Sequence, residues 1–182
     1  WRELLRAWRR ETETDTYFEH PSQNGQTLKS HAILYGELPA LPANFEHISY
    51  LELSGNQSAL TNIDVFLRSF PNIRHLSITH AQLGQLPATL SAMPRLNTLI
   101  LSNCAITLTP DSLNTLTAMN RLRTLDLYSN PLGLSPSVER MIDLRALDLS
   151  ETGISNLPAG LLSRASLELA VLSRNRITQL PS

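Results

Sequence analysis

The chain has 182 residues, a formal net charge of −1 and a sequence pI of about 6.6, so no global attraction draws it to nucleic acid or to anionic membranes. Hydrophobic residues make up 42% and charged residues 17%, the balance of a chain that buries a core rather than staying disordered. A single cysteine excludes an internal disulfide and a cysteine-cluster zinc site, and no apolar run approaches the ~20 residues that span a bilayer as a helix.

The chain opens at Trp1 rather than at a methionine, and a repeating pattern is still running at Ser182, so we expect a piece of a longer protein. The opening stretch WRELLRAWRRETETDTYFEH reads as a helix with Trp1, Leu4, Leu5 and Trp8 on one face and Arg2, Arg6, Arg9 and Arg10 largely elsewhere. Its expected role is to cap a core that stacked repeats would leave open. A membrane-surface helix is the alternative, but the acids Glu11, Glu13 and Asp15 follow at once and would be repelled by anionic lipid. HPSQNGQT, residues 20–27, reads as a loop, which makes 1–30 a helical cap and loop. HAILYGELPALPANF, residues 31–45, reads as a degenerate first coil with the pairs Leu38-Pro39 and Leu41-Pro42. The expected repeat domain, 31–182, is this coil plus six repeats with a truncated C-terminal end.

Six segments fit L-x-x-L-x-L-x-x-(N/C)-x-L. The first, ISYLELSGN, carries Ile48, Leu51, Leu53 and Asn56. The next three carry Ile73, Leu76, Ile78 and Ala81; Leu96, Leu99, Leu101 and Cys104; and Leu122, Leu125, Leu127 and Asn130. The last two carry Leu144, Leu147, Leu149 and Thr152, then Leu167, Ala170, Leu172 and Asn175. The spacings between the ninth positions run from 22 to 26 residues, the leucine-rich-repeat period. The expected fold is an α/β solenoid: a leucine-rich-repeat horseshoe with a parallel concave sheet and an N-terminal helical cap. Asparagine suits the ninth position because its amide both donates to and accepts from buried loop backbone. Cys104 stands there in the third repeat, so it reads as a structural, inert thiol. Ala81 cannot hydrogen-bond there, and a water or a rearranged loop is expected to take over.

The return segments differ in length. Ile63, Phe66, Leu67 and Phe70 fall on one helix face, and Leu113 and Leu116 point inward from a second helix with Thr109 or Asp111 as N-cap. Repeats two, four and five have shorter returns, expected as 3₁₀ turns or short helices; Leu86-Pro87, Leu157-Pro158 and Leu180-Pro181 stand in returns of this kind.

Side chains alternate along each strand, so positions four and six face the core and positions three, five and seven face out on the concave sheet. The candidate protein-binding residues there are Tyr50, Glu52, His75, Ile100, Asp126, Tyr128, Asp148, Glu151, Val171 and Arg174. Asp126, Asp148 and Glu151 form an acidic group that a basic partner patch can meet, and Tyr128 among them is the first choice for an anchor. Leu169 and Val171 put aliphatics on the last strand, where a partner or further chain is expected to cover them. Catalytic readings are weak. The histidines His20, His31, His47, His75 and His80 form no Ser–His–Asp or Cys–His set, and an open sheet lacks the desolvated cleft of an acid–base site. The neighbours Asp126 and Asp148 allow a raised pKa or a cation site, yet no metal and no cofactor is expected, and no enzyme activity of these residues themselves.

WRRETETDTYF, FLRSFPNIRHLSI, LRTLDLYSNPLGLSPSV and LELAVLSRNRITQLP, with the repeats, resemble the leucine-rich-repeat region of large bacterial effector proteins that end in a NEL-type (novel E3 ligase) ubiquitin ligase domain, many of them with a dermonecrotic-toxin-like region before the repeats. The resemblance covers nearly the whole chain. It implies a substrate-recognition and autoinhibitory role for the repeats, and a secreted bacterial protein acting in the host cell. The partners it implies are a protein on the concave face or a neighbouring C-terminal domain of the same chain; the charge balance separately gives the expectation of no nucleic acid and no membrane. The catalytic cysteine of such proteins lies in the ligase domain, and Cys104 does not match it. Lys29 is the only lysine among fifteen basic residues, as a segment held beside a ubiquitin ligase would favour, though arginine bias in a genome predicts the same. The alternatives are a structural or adhesive repeat protein with no associated enzyme, and a glycan-binding surface around Tyr128, Asp126 and Asp148.

Overall fold

Leucines two residues apart put both side chains on one face of an extended chain, and this pair, repeated along the chain, builds a parallel sheet. The computed structural model describes residues 2–14, 25–30 and 33–178. Its strands are β1 (Gln26–Lys29), β2 (Leu34–Glu37), β3 (Ile48–Thr61), β4 (His75–Thr79), β5 (Thr98–Ile100), β6 (Thr124–Asp126), β7 (Ala146–Asp148) and β8 (Leu169–Val171). The sheet runs β1-β3-β4-β5-β6-β7-β8, with β2 also paired to β3, and every named pairing is parallel. Equivalent repeat positions stand side by side: Leu76 pairs with Leu99, Leu99 with Leu125, and Leu125 with Leu147. Leu51, Leu76, Leu99, Leu101, Leu125 and Leu127 are fully buried. Each such side chain contributes about 1.5–3 kcal/mol relative to exposure.

The returns complete the core. Helix α2 (Ile63–Leu67) buries Ile63, Phe66 and Leu67, and Phe70 beyond it stacks on Phe45 with ring centroids 5.1 Å apart. Helix α3 (Pro110–Ala118) starts as expected. Thr109 is the N-cap, its hydroxyl accepting from the Ser112 N–H at 3.2 Å, and Pro110 opens the first turn. Leu116 is buried and Leu113 partly so. Repeats two and five return through 3₁₀ segments, Ala88–Ala92 and Leu161–Ser163. Repeat four does not: residues 131–144 run as turns and extended chain, anchored by Val138, whose N–H donates to Ala159 O at 2.9 Å.

The ninth-position ladder forms where a polar side chain is present. Asn130 donates to Leu101 O (2.7 Å) and Leu127 O (2.9 Å), and accepts from the N–H groups of Cys104 (2.9 Å) and Ile106 (3.0 Å). Asn175 repeats this arrangement on Leu149 O, Leu172 O and the Thr152 N–H. Cys104 is fully buried, with its Sγ 3.2 Å from Ile78 O. Burial pushes its thiol up to about 11; the hydrogen bond with Ala81 backbone opposes this, and the charge of Asp126 adds to it. The cysteine is a structural filler.

The first repeat departs from the pattern. In later repeats the residue before the ninth position takes a left-handed φ: His80, Asn103, Ser129, Glu151 and Arg174 lie between 54° and 56°. Its N–H crosses to the next coil, as His80 N–H does to Ser102 O. The first repeat has Gly55 at that place, but its left-handed residue is Gln57. A Cβ on Gly55 would sit 2.6 Å from His80 O and 3.0 Å from Ala81 Cβ, so two small residues bring the coils close. β3 therefore runs on for 14 residues and Asn56 is exposed rather than part of the ladder. The extended chain also answers the Ala81 gap, because Gln82 N–H donates to Ser58 O and Gln57 N–H to His80 O. A rearranged loop fills the role.

Two N-terminal expectations change. The end of the expected loop, Gln26 and Thr27, belongs to β1, which joins the sheet beside β3. Helix α1 (Arg2–Trp8) packs on the core through Ala7 and Leu4, while Leu5 and Trp8 are 48% and 57% exposed. The bond between a His47 ring nitrogen and Ala7 O, 2.6 Å, holds α1 by its narrow side, which turns the bulkier side chains outward. Trp1, His20, His31 and Leu180-Pro181 lie outside the described residues.

Candidate protein-binding face

Strand register arranges the candidate residues in rows across the concave sheet. Position five pairs Glu52 with Ser77, Ser77 with Ile100, Ile100 with Asp126, Asp126 with Asp148 and Asp148 with Val171. Adjacent strands lie about 4.8 Å apart, so the two aspartates stand directly beside one another, as the repeat spacing implies. Asp126 accepts from the Tyr128 N–H (2.8 Å) and the Ser102 hydroxyl (3.0 Å). Burial raises its carboxyl above the usual carboxylate range; the bonds from Tyr128 and Ser102 oppose the shift, and the neighbouring Asp148 charge adds to it. Asp148 accepts from the Ser150 N–H at 2.8 Å and from the Ser150 hydroxyl. The Asx turns at both aspartates hold the strand exits in one shape. Tyr128 is 38% exposed beside them, and Glu151 makes an ion pair with Arg174 of the next coil.

A second group gathers at the N-terminal end. The Tyr50 and His75 rings stack at 4.1 Å with planes 7° apart. The Tyr50 hydroxyl donates to Glu52 at 3.1 Å, and Lys29 Nζ lies 5.1 Å from the centre of the Tyr50 ring. Lys29 is missing from the sequence-derived set. It stands opposite Glu52 in the β1–β3 pairing, and its sequence signal is a lone lysine beside Leu28 in the segment that reads as cap and loop.

The concave face is less open than alternation alone implies. His75, Ser77, Thr98 and Ser150 are buried although their positions point away from the leucine core. Tyr50 covers His75, and facing rows on a parallel sheet crowd small side chains under larger neighbours. His75 is thus a support for Tyr50 rather than a contact of its own. Ile100 is half-buried between the two groups. On β8, Leu169 is 56% exposed and Val171 half-buried; Ala170, expected in the core, is exposed. No later coil among the described residues covers it. Among the described residues no three His, Cys, Asp or Glu side chains converge in a metal-holding group.

Comparison with known proteins agrees with this geometry. The family described as Leucine Rich Repeat matches residues 121–141, the fourth motif and its return. A leucine-rich-repeat protein of Leptospira interrogans superposes with a TM-score of 0.58 at 20% identity, over 80% of this chain and 42% of that one. The fold is a leucine-rich-repeat solenoid. The structure of a BIR3–SERK2 complex from Arabidopsis thaliana gives a TM-score of 0.51 at 20% identity, covering 92% of this chain and 77% of the other. The plant peptide hormone receptor RGFR1 in complex with RGF2 gives 0.54 at 19% identity, covering 85% and 29%. The chain thus spans less than half the length of the Leptospira protein and of RGFR1. No curated protein sequence matches it.

Proposed function

We propose that this solenoid is a protein-interaction module whose partner docks on the concave face around Tyr128. The supporting observation is the central group: an exposed tyrosine two residues after Asp126, with Asp148 and Glu151 on the next coil, each acid held by the backbone or by a neighbouring coil. A half-exposed aromatic on a preordered polar frame loses little conformational freedom on binding. The acids favour a basic patch opposite. Two of the structural relatives were solved in complexes, which is in keeping with this reading.

The finer reading follows the resemblance of the sequence to bacterial NEL-type effectors. In it the repeats select the substrate of a ubiquitin ligase domain, and the aliphatics Leu169 and Val171 meet a neighbouring domain of the parent polypeptide. The test is a ubiquitin discharge assay on that parent, with and without residues 1–182. Discharge of a charged E2 conjugate supports the ligase reading, and faster discharge after deletion adds restraint by the repeats. No discharge in either form leaves a plain binding or adhesion module. The glycan reading calls for saturable binding on a glycan array that Tyr128→Ala abolishes.

A further inference from the structure

The edge where the strands begin carries charge opposite to that of the central group. Position two of each repeat lies on this edge, and a backbone ladder holds its residues in a row. The N–H of Asn97 donates to Arg74 O (2.9 Å), that of Arg123 to Asn97 O (2.7 Å) and that of Arg145 to Arg123 O (2.8 Å). Arg74, Arg123 and Arg145 therefore recur along the edge, Arg123 and Arg145 about 4.8 Å apart and Arg74 about 10 Å from Arg123. At the N-terminal end, Arg10, Arg74 and Arg95 line one depression of about 380 Å³, with Glu46 as its acid. Arg95, Arg123 and Arg145 are exposed. Arg145 reaches Glu168 at 3.5 Å, while Arg95 and Arg123 make no ion pair among the described residues. The chain as a whole is slightly acidic, so this row is a local segregation of charge.

We propose that this arginine edge is a second contact surface, which takes an acidic segment of a protein partner running across the strands. Guanidinium groups suit it because each presents a planar fork that matches a carboxylate. A continuous polyanion fits less well. Asp126 and Asp148 end β6 and β7, three residues beyond Arg123 and Arg145, which immediately precede those strands, about 10 Å away. That lies well inside the Debye length of about 30 Å at 0.01 M salt, so at low salt a nucleic acid laid on the edge is repelled by the acids of the adjacent face. A protein with an acidic stripe beside a basic one meets both. The inference rests on the reading of the chain as a protein-binding module and adds a second stripe to it.

The test uses a fluorescein-labelled ten-residue oligoglutamate and a labelled DNA duplex, titrated by anisotropy against the 182-residue chain at low salt. Saturable, salt-sensitive oligoglutamate binding is expected, weakened about tenfold in R95Q/R123Q, at about threefold per exposed charge. Arg95→Lys with Arg123→Lys keeps the charge but loses the planar fork, and is expected to bind between wild type and R95Q/R123Q, which separates charge loss from misfolding. Tyr128→Ala is expected to leave oligoglutamate binding intact. Absent binding, unchanged binding in R95Q/R123Q, or duplex binding as tight as the peptide's would each overturn the proposal. A failure of the Tyr128 reading alone would leave the oligoglutamate result standing.

Discussion

Asn130→Ala is the sharpest probe of how the coils are held. The side chain is 1% exposed and makes four close bonds, two donated and two accepted. Among the described residues the N–H groups of Cys104 and Ile106 have no other acceptor. Four bonds at about 1 kcal/mol each give about 4 kcal/mol, and partial entry of water or coil relaxation lowers the expected loss to about 3–4 kcal/mol. Asn56→Ala is the control. It occupies the same motif position but is exposed, so its expected effect is within about 0.5 kcal/mol. Urea unfolding followed by far-UV circular dichroism compares the two through the shift in midpoint at constant slope. Equal losses in both variants, or less than about 1 kcal/mol for Asn130→Ala, would refute the ladder as the holding device.

Other expectations follow from the same structure. Leu125→Ala removes a fully buried side chain and should cost about 2–5 kcal/mol in the same unfolding assay, the signature of a core cavity. Thr109→Ala removes the cap of α3 and should cost about 1 kcal/mol, read as a lowered Tm with the rest of the fold intact. Cys104, with its thiol raised from 9.0 to about 11, should resist iodoacetamide at pH 8 until the chain is unfolded; fast labelling of the native form would contradict its burial. The raised value also sets a sign. The native state holds the thiol proton more tightly, so this contribution to stability is complete below pH 9 and is lost as pH rises toward 11. The stability difference between wild type and Cys104→Ala, measured from pH 8 to 11, should fall across that window.

The leucine register was fully legible because two constraints, strand alternation and a fixed period, act on the same residues: positions four and six are buried from Leu51 through Leu149. What escaped depends on distances between coils. Asn56 fits the motif, and only the close approach of Gly55 to Ala81 reveals that β3 keeps going. Four residues, Gln26–Lys29, show no period of their own, so β1 emerges only from its pairing with β3, and Lys29 emerges with it. Hydrophobicity alone points to the α1 face of Leu4, Leu5 and Trp8, whereas full burial falls on Ala7, beside the His47 bond. His75 looked exposed because alternation ignores what a neighbouring ring covers. The rows of the candidate face, Asp126 beside Asp148 above all, follow directly from the repeat spacing.

The central claim is that the concave face, and not the convex returns, meets a protein. The most direct measurement places a photo-crosslinking phenylalanine derivative at Tyr128 on the concave side, and separately at Leu162, which is 72% exposed in a return segment. Both variants are irradiated in the protein under its native conditions. The account predicts a discrete protein adduct from position 128 that is lost when Asp126 and Asp148 are changed to lysine, with none from position 162. Adducts from position 162 alone, or adducts from 128 indifferent to the aspartates, would contradict it.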